Sequence, residues 1–451
     1  MKIAVIGGGL GGLTAARALV AAGHDAHVLE ASSRAGGVVG TSVANGFVRE
    51  HAASSFLGSA PRGALALCEA LGVPVDKASP RARRRWIFID GKLRALPGNP
   101  VELVRSDLLT WRGKLDLLRE PLRPARPPGA VDESMHAFAA RRLGAEAARA
   151  IVAPFVTGVY AADAHDISFE AGFPRLAALE SAGGLLRGLA RQAARGAVTR
   201  AFAAIQRKPL PPRPPRGLFA PRGGLQTLVD ALATSLGDRL RFGTPVARIE
   251  PAPGNRVSID GDLWDGCVLA LPAEDAIPLI AIPELATRLG AFHRAPAAVV
   301  YLGFPAAAIP RASDGFGFLV AQGEDVRVLG VVFESTVWPD RAPSGHVLLR
   351  CIFGGGRDPS AADLDDTALI AQATRDVSRV LESSAPPVHT SVVRWRRGIP
   401  QYPVGHRDHV RAAVTAARTH RIILAGADYR GPGVNDLCAD ADLVVGEVRA
   451  W

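Results

Sequence analysis

The stretch IGGGLGGL, residues 6–13, decides the fold. It continues KIAVI (2–6), which reads as a short buried parallel strand, and it runs into LTAARALVAAG (13–23), which reads as a helix closed by Gly23 in an αL cap. DAHVLEA (25–31) reads as a second strand. The glycines therefore fall at a strand-to-helix turn as Gly7-x-Gly9-x-x-Gly12. Gly7 permits the tight turn, Gly9 lets a pyrophosphate reach the backbone, and Gly12 lets helix and strand pack closely. Gly8, Leu10 and Gly11 complete the loop, and the helix N-terminus faces the phosphates. Glu30 ends the second strand, 18 residues past Gly12, where a carboxylate accepts ribose hydroxyls. An ordinary glycine turn is the bland alternative. Strand, loop, helix, strand and terminal acid in register favour dinucleotide binding, without separating NAD from FAD.

The next residues separate them. EASSRAGG (30–37) carries Glu30, Ala31, Arg34, Gly36 and Gly37, followed by Val38. This E-x3-R-x-G-G pattern resembles the flavin-binding amine-oxidase superfamily, which implies FAD and an α/β fold. Its Rossmann-like FAD-binding domain is assembled from discontinuous segments. Later stretches fit that resemblance. RGGLQTLVDALATSLG (222–237) matches its GG-x-x-x-L helix start. VARIE (246–250) reads as an edge strand with Val246 against the adenine, and CVLALPA (267–273) as another buried strand. RIILAGADYRGPGVNDLCADADLVVGEV (421–448) gives a strand, a glycine loop with Ala427, Pro432, Gly433 and Val434, and a helix whose positive end would favour a reduced, anionic flavin. The superfamily's E-x-G-P is Glu50-His51-Ala52-Ala53 here, so Ala52, Ala53, Ser54 and Ser55 are the flavin-facing candidates of that loop. The covalent-flavin signature SGGCY is absent, which implies non-covalent FAD.

Composition bounds the rest. The 451 residues suffice for two or three domains, and 48% of them are apolar, as in a globular chain. Cys68, Cys267, Cys351 and Cys438 are far apart and form no CxxC pair, so neither a disulfide framework nor a zinc site is implied, and a reducing, cytoplasmic setting fits. No cleavable leader or membrane-length apolar run is read. The net charge of +10 would suit an anionic partner, or base-composition bias in an Ala/Arg/Pro/Gly-rich chain. There is no GxSxG, no metal-ligand spacing and no carboxylate dyad, which argues against hydrolases.

Three domains are expected: FAD-binding (1–81, 216–275, 416–451), a mixed-sheet substrate domain (82–100, 184–215, 276–415), and a helical subdomain (101–183). AAVVYLGF (297–304), VRVLGVVFES (326–335) and HVLLRCIF (346–353) supply the sheet. RKPLPPRPPRG (207–217) reads as a solvated connector, with a PxxP ligand as the alternative. PVELVRSDLLTWRGKLDLLREPLRPARP (100–127) mixes Leu, Val, Trp111 and cations. It suits either an interface with an anionic membrane or a subdomain packed on the core.

GVYAAD (158–163), GFGFLV (315–320), FESTVWPDRAP (333–343), RWRRGIPQYPVGH (394–406) and GPGVND (431–436) resemble the oxygen-dependent protoporphyrinogen oxidases. That family removes six hydrogens from protoporphyrinogen IX in three rounds of flavin reduction and reoxidation by dioxygen. The resemblance implies that Arg85 pairs with a propionate and that Leu319 forms one apolar wall. It makes Trp338 the opposite wall, where the family has phenylalanine, and begins at Gly158 a loop whose carbonyl faces the pyrroles. The expected partners are a porphyrinogen, dioxygen, an anionic membrane surface on the inner face and a second copy of the chain as a homodimer. Nucleic acid is not expected, because the basic residues show no RNP-like aromatic interleaving. The rivals are a coproporphyrinogen III oxidase, an amine or carotenoid oxidoreductase, and a basic binding protein that merely keeps the fold.

Overall fold

The computed structural model describes residues 1–60, 62–127, 129–205 and 215–451. The connector expected at 207–217 lies outside the described residues up to residue 214. A five-stranded parallel sheet takes its strands from separate parts of the chain. In spatial order these are Leu240–Arg241, Asp25–Leu29, Lys2–Ile6, Gly266–Leu269 and Ile422–Leu424. Alternate residues of Lys2–Ile6 serve opposite faces. Ile3 and Val5 join a core with Leu13, Leu228 and Val444, from the helices Leu10–Ala21, Leu225–Leu236 and Val434–Arg449. Ala4 and Ile6 join a second core with Trp264, Leu285 and Ala413. Burial on both faces explains why KIAVI is apolar throughout. The first helix begins at Leu10, directly on the glycine loop and three residues earlier than its apolar pattern suggested.

A seven-stranded mixed sheet stands beside it, in the order His389–Pro400, Arg294–Pro305, His346–Gly354, Gly330–Phe333, Gly317–Val320, Arg85–Ile89, Lys92–Ala95. One face packs under the helix Asp366–Leu381, through Val300, Cys351, Val331 and Phe318 against Leu369, Ala373 and Val377. The other face carries two rows set by the strand register: Arg85, Gly317, Val332, Arg350, Tyr301, and Ile87, Leu319, Gly330, Ile352, Val299. With strands about 4.8 Å apart, Arg85 and Arg350 stand roughly 14 Å apart on one row.

Two sequence expectations differ from the structure. Residues 244–248 form no strand, because Asp260 Oδ1 takes the Ala247 and Arg248 N–H groups at 3.1 and 2.7 Å. The ladder begins only at Ile249–Ala252, in a three-stranded meander. The helix Leu185–Ile205, expected with the substrate sheet, joins the helical segment instead. Glu120 accepts the N–H groups of Leu185 and Leu186, and Gly188 lies tight against Leu179.

Candidate functional site

Residues more than 400 positions apart meet at the glycine loop. A Cβ on Gly12 would stand 2.0 Å from Gly7 O, so only glycine permits this packing of helix on loop. Gly36 N–H donates to Gly8 O at 2.8 Å, and Gly37 lies against the Gly9 Cα. Gly11 faces Gly426 and Leu437 of the C-terminal loop and helix, and Thr14 Oγ1 donates to Leu437 O at 3.1 Å. Gly9 differs from its neighbours: among the described residues a Cβ there meets nothing within 4 Å. The helix it opens has no side-chain cap. An open cradle at an uncapped helix N-terminus fits a pyrophosphate.

Glu30 Oε2 accepts Gly8 N–H at 2.6 Å and Oε1 accepts both Ser32 N–H and its hydroxyl. A carboxylate has about four acceptor sites, so one remains for a ribose hydroxyl. Arg34 donates to the carbonyls of Ala35, Gly37 and Val39, and so shapes the loop that holds Ala31 and Val38. Val246 packs on the core that contains Trp264, with Leu271 nearby.

Glu50 is fully buried and ties three parts together. It accepts Thr41 Oγ1 at 2.7 Å and Leu225 N–H at 3.0 Å, and it pairs with Arg341 at 2.8 Å. The WPDRAP motif is thus explained by a buried ion pair. The following loop is held from the large sheet: Trp395 Nε1 donates to His51 O at 2.9 Å, and Arg350 donates to Ala52 O. Ala53 packs on the first core. Ser54 follows it without regular structure. Ser55, Gly433 and Val434 line one crevice of about 380 Å³ with Phe173, Arg175 and Asp436. Burial raises the Asp436 pKa, and its carboxyl accepts Gly433 N–H at 3.1 Å. Pro432 precedes that cap. Ala427 opens a short helix, Ala427–Arg430, fixed through Asp428 to Arg294 and Ala273 N, both at 2.8 Å.

Beside this lies an apolar cavity of about 450 Å³, and its lining includes Arg85, Gly158, Leu319, Gly330, Val332 and Ile352. Arg85 is exposed, its guanidinium 5.3 Å from the Phe316 ring centroid, and among the described residues no carboxylate pairs with it. Arg84 differs, since Asp314 holds it at 2.5 Å. Gly158 sits in the last turn of the helix Ala153–Tyr160 rather than at the start of a loop. The helix ends only at Ala161, which adopts αL and caps it by donating its N–H to Thr157 O at 2.8 Å. Trp338 does not line the cavity. It is 3% exposed and packs behind the wall, in a cluster with Ala82, Ala220 and Val337 that Phe316 and Val332 flank. The sequence could place an aromatic near the site but could not tell its layer.

Sequence reasoning did not single out Glu50, Arg341, Arg350 or Glu334 as site residues. Glu334 is fully buried, neither of its oxygens has a hydrogen-bond partner among the described residues, and burial raises its pKa although Arg350 and Arg341 oppose the shift. A charged residue inside an otherwise apolar strand end was the available signal. No group of three or more His, Cys, Asp or Glu able to hold a metal occurs among the described residues.

The family described as flavin containing amine oxidoreductase matches residues 10–436. A chloroplastic protoporphyrinogen oxidase of Oryza sativa subsp. japonica is 30% identical, over 91% of this chain and 81% of its own length. The coproporphyrinogen III oxidase of Bacillus subtilis is 26% identical, over 97% of this chain and 95% of its own. A crystal structure from Exiguobacterium sp., provisionally named a protoporphyrinogen oxidase, superposes with a TM-score of 0.82 at 24% identity, over 99% and 98% of the two chains, and shares the fold. The chain therefore belongs to the flavin-containing amine oxidoreductases, and within them it is an oxidase of the protoporphyrinogen oxidase kind.

Proposed function

We propose that the chain catalyses FAD-dependent oxidation of protoporphyrinogen IX to protoporphyrin IX, with dioxygen as the final acceptor. The observation that carries this reading is Arg85, without a carboxylate partner among the described residues, on an apolar cavity whose floor leads to the loop at Ala52. A porphyrinogen is an apolar macrocycle with carboxylates on one edge. Ile87, Leu319, Gly330 and Ile352 offer it an apolar face, and Arg85 offers one carboxylate a two-pronged partner. Gly9, Glu30 and the loops at 52–55 and 427–434 would hold FAD non-covalently. Bound FAD supplies the hydride acceptor, and aromatisation of the macrocycle supplies the driving force. The protein orients one edge of the substrate and excludes water with the apolar walls.

A second reading, coproporphyrinogen III oxidation, is favoured by one feature. Arg81, Arg83 and Arg105 line a groove that shares Trp86 and Leu96 with the cavity, and among the described residues none of the three has an acidic partner. Further carboxylates could reach them. The absorption spectrum of the purified protein, followed by turnover of both porphyrinogens in air, tests the function and ranks the substrates. A colourless protein inert toward both would refute it. Peripheral attachment to the inner face of an anionic membrane is part of the same reading, supported by the exposed apolar residues of 101–122.

A further inference from the structure

GIPQY (398–402) is, with WPDRAP, more specific to the family resemblance than the flavin fingerprints, yet neither Gln401 nor Tyr402 is among the residues that line the cavity. Both side chains reach carbonyls of other segments, and Gln401 Nε2 also donates to Ile399 O of its own segment at 3.1 Å. Gln401 Nε2 donates to Tyr160 O at 3.0 Å, and Tyr160 is the last residue of the helix that carries Gly158. A carbonyl in the last turn of a helix has no intrahelical partner, so Gln401 supplies one. Tyr402 Oη donates to Ala427 O, at the start of the C-terminal loop that lies against Gly11. The two adjacent side chains thus hold the cavity wall and the cofactor loop at once.

The clamp is itself rigid. Tyr402 is 3% exposed, and its ring stacks on His406 with centroids 4.0 Å apart and planes 13° apart. Burial pushes the His406 pKa down to about 4, so the stacking imidazole is neutral near pH 7. Phe292 meets His406 edge-on, and Tyr160 lies 5.5 Å from the Tyr402 ring. Gln401 N–H is fixed by His293 O at 3.0 Å, and Tyr402 O accepts Ser168 N–H at 2.8 Å. Neither side chain is needed to complete a sheet ladder, because the strand ends at Pro400.

We propose that Gln401 and Tyr402 are positioning residues that set the gap between the substrate wall at Gly158 and the cofactor loop at Ala427. The inference rests on the FAD reading above. Each contact has its own readout. Tyr402→Phe keeps the ring and the stack and removes only the donor to Ala427. It is expected to weaken FAD binding to the apoprotein about three- to tenfold, with KM for porphyrinogen near the parent's. Gln401→Met keeps the length of the side chain and frees the Tyr160 carbonyl. It is expected to raise KM by a similar factor and leave FAD affinity unchanged.

The experiment is a titration of apoprotein with FAD by flavin fluorescence, alongside steady-state kinetics and thermal unfolding of each holoenzyme. The crossed pattern supports the clamp. Two variants that lose thermal stability while both FAD affinity and KM stay at parental values overturn it, because the residues are then only packing. Equal effects of both variants on both quantities overturn it too. A parent protein that binds no FAD overturns the cofactor reading and the clamp together, and is recognised before any variant is compared.

Discussion

Gly158 and Leu319 touch across the cavity: a Cβ built on Gly158 would stand 2.7 Å from Leu319 Cδ2. The helix Ala153–Tyr160 therefore meets the sheet floor at its one residue without a side chain on that line. Gly158→Ala is expected to push Leu319 into the cavity and lower kcat/KM about tenfold, or roughly 1.4 kcal/mol in the transition state. FAD content should not change. Trimming the neighbour as well, in Gly158→Ala with Leu319→Ala, should recover part of the loss, a coupling that steady-state assay of the double-mutant cycle measures. Additive losses would refute the contact as the cause.

Gly9 tests the cofactor cradle without disturbing the fold. Its Cβ direction is empty, whereas Gly12 has Gly7 O in the way. Gly9→Val should fold with a parental thermal transition for the apoprotein but bind no FAD, because its side chain occupies the space of the pyrophosphate. Gly12→Val should fail to fold. A yellow Gly9→Val protein with full flavin content would show that the cradle holds something else.

The glycine loop was legible because Gly7 and Gly12 answer steric demands that no other residue meets while Gly9 leaves its space open, and the strands around it carry continuous apolar runs. Other features were not legible for physical reasons. The loop at Gly158 was implied by the family resemblance, and glycine's low helix propensity gave no local signal for the helix that contains it. VARIE has a strand-like pattern, but Asp260, which follows the next strand, takes its backbone donors. Trp338 is large and apolar whether it forms the wall or stands behind it, and only packing separates the two. Gln401 and Tyr402 act on carbonyls 241 and 25 residues away, contacts that no local pattern encodes.

The C-terminal loop should respond to pH through Asp440. Burial lifts its pKa to about 6, against the opposing pull of Arg430 and the Gly426 N–H, and with Glu447 adding to the rise. A carboxyl whose folded pKa lies above its unfolded value of about 3.9 binds more protons in the folded state. Stability from this group is therefore present below about pH 4 and is lost as pH rises through about 6, by roughly 2–3 kcal/mol in all. Asp440→Asn should remove that slope while its side-chain oxygen still accepts Gly426 N–H. Thermal melts of both proteins between about pH 4 and 7 measure the difference, and parallel curves would refute it.

Arg85 should be dispensable for folding, since among the described residues it pairs with no carboxylate and is exposed. Arg85→Ala is expected to leave flavin content and stability unchanged. It should lower kcat/KM about ten- to a hundredfold, through loss of a charge-assisted pair worth roughly 1.5–3 kcal/mol. Arg85→Lys should recover little, because an ammonium cannot make the two-pronged contact. Parental turnover by Arg85→Ala would make the arginine a solvated surface residue.

The helices at Pro100–Arg105 and Trp111–Leu118 carry the membrane prediction. Trp111, Leu115 and Leu118 follow i, i+4, i+7 spacing on one helix and are 67%, 53% and 65% exposed. Leu122 extends the patch at 78%, and Val101 and Val104 stand exposed on the neighbouring helix. The helix is anchored by Gly113, buried on its far side, and by buried Lys114 at the edge of the stripe, whose Nζ lies 4.5 Å from the Trp111 ring centroid and donates to Val104 O at 2.8 Å. A stripe turned outward on an anchored helix, with Arg105 and Arg112 beside it, suits the boundary between anionic headgroups and acyl chains. Among the described residues no helix is long and apolar enough to cross a membrane, so attachment would be peripheral. The protein should pellet with vesicles rich in anionic lipid at low ionic strength, and less so as salt rises. Trp111→Ser with Leu118→Ser should weaken pelleting at every salt concentration, because the apolar share of binding does not depend on screening. Both losses should leave turnover of detergent-dispersed substrate intact, since neither side chain lines the cavity. Equal pelleting of parent and double variant would assign the stripe to another partner.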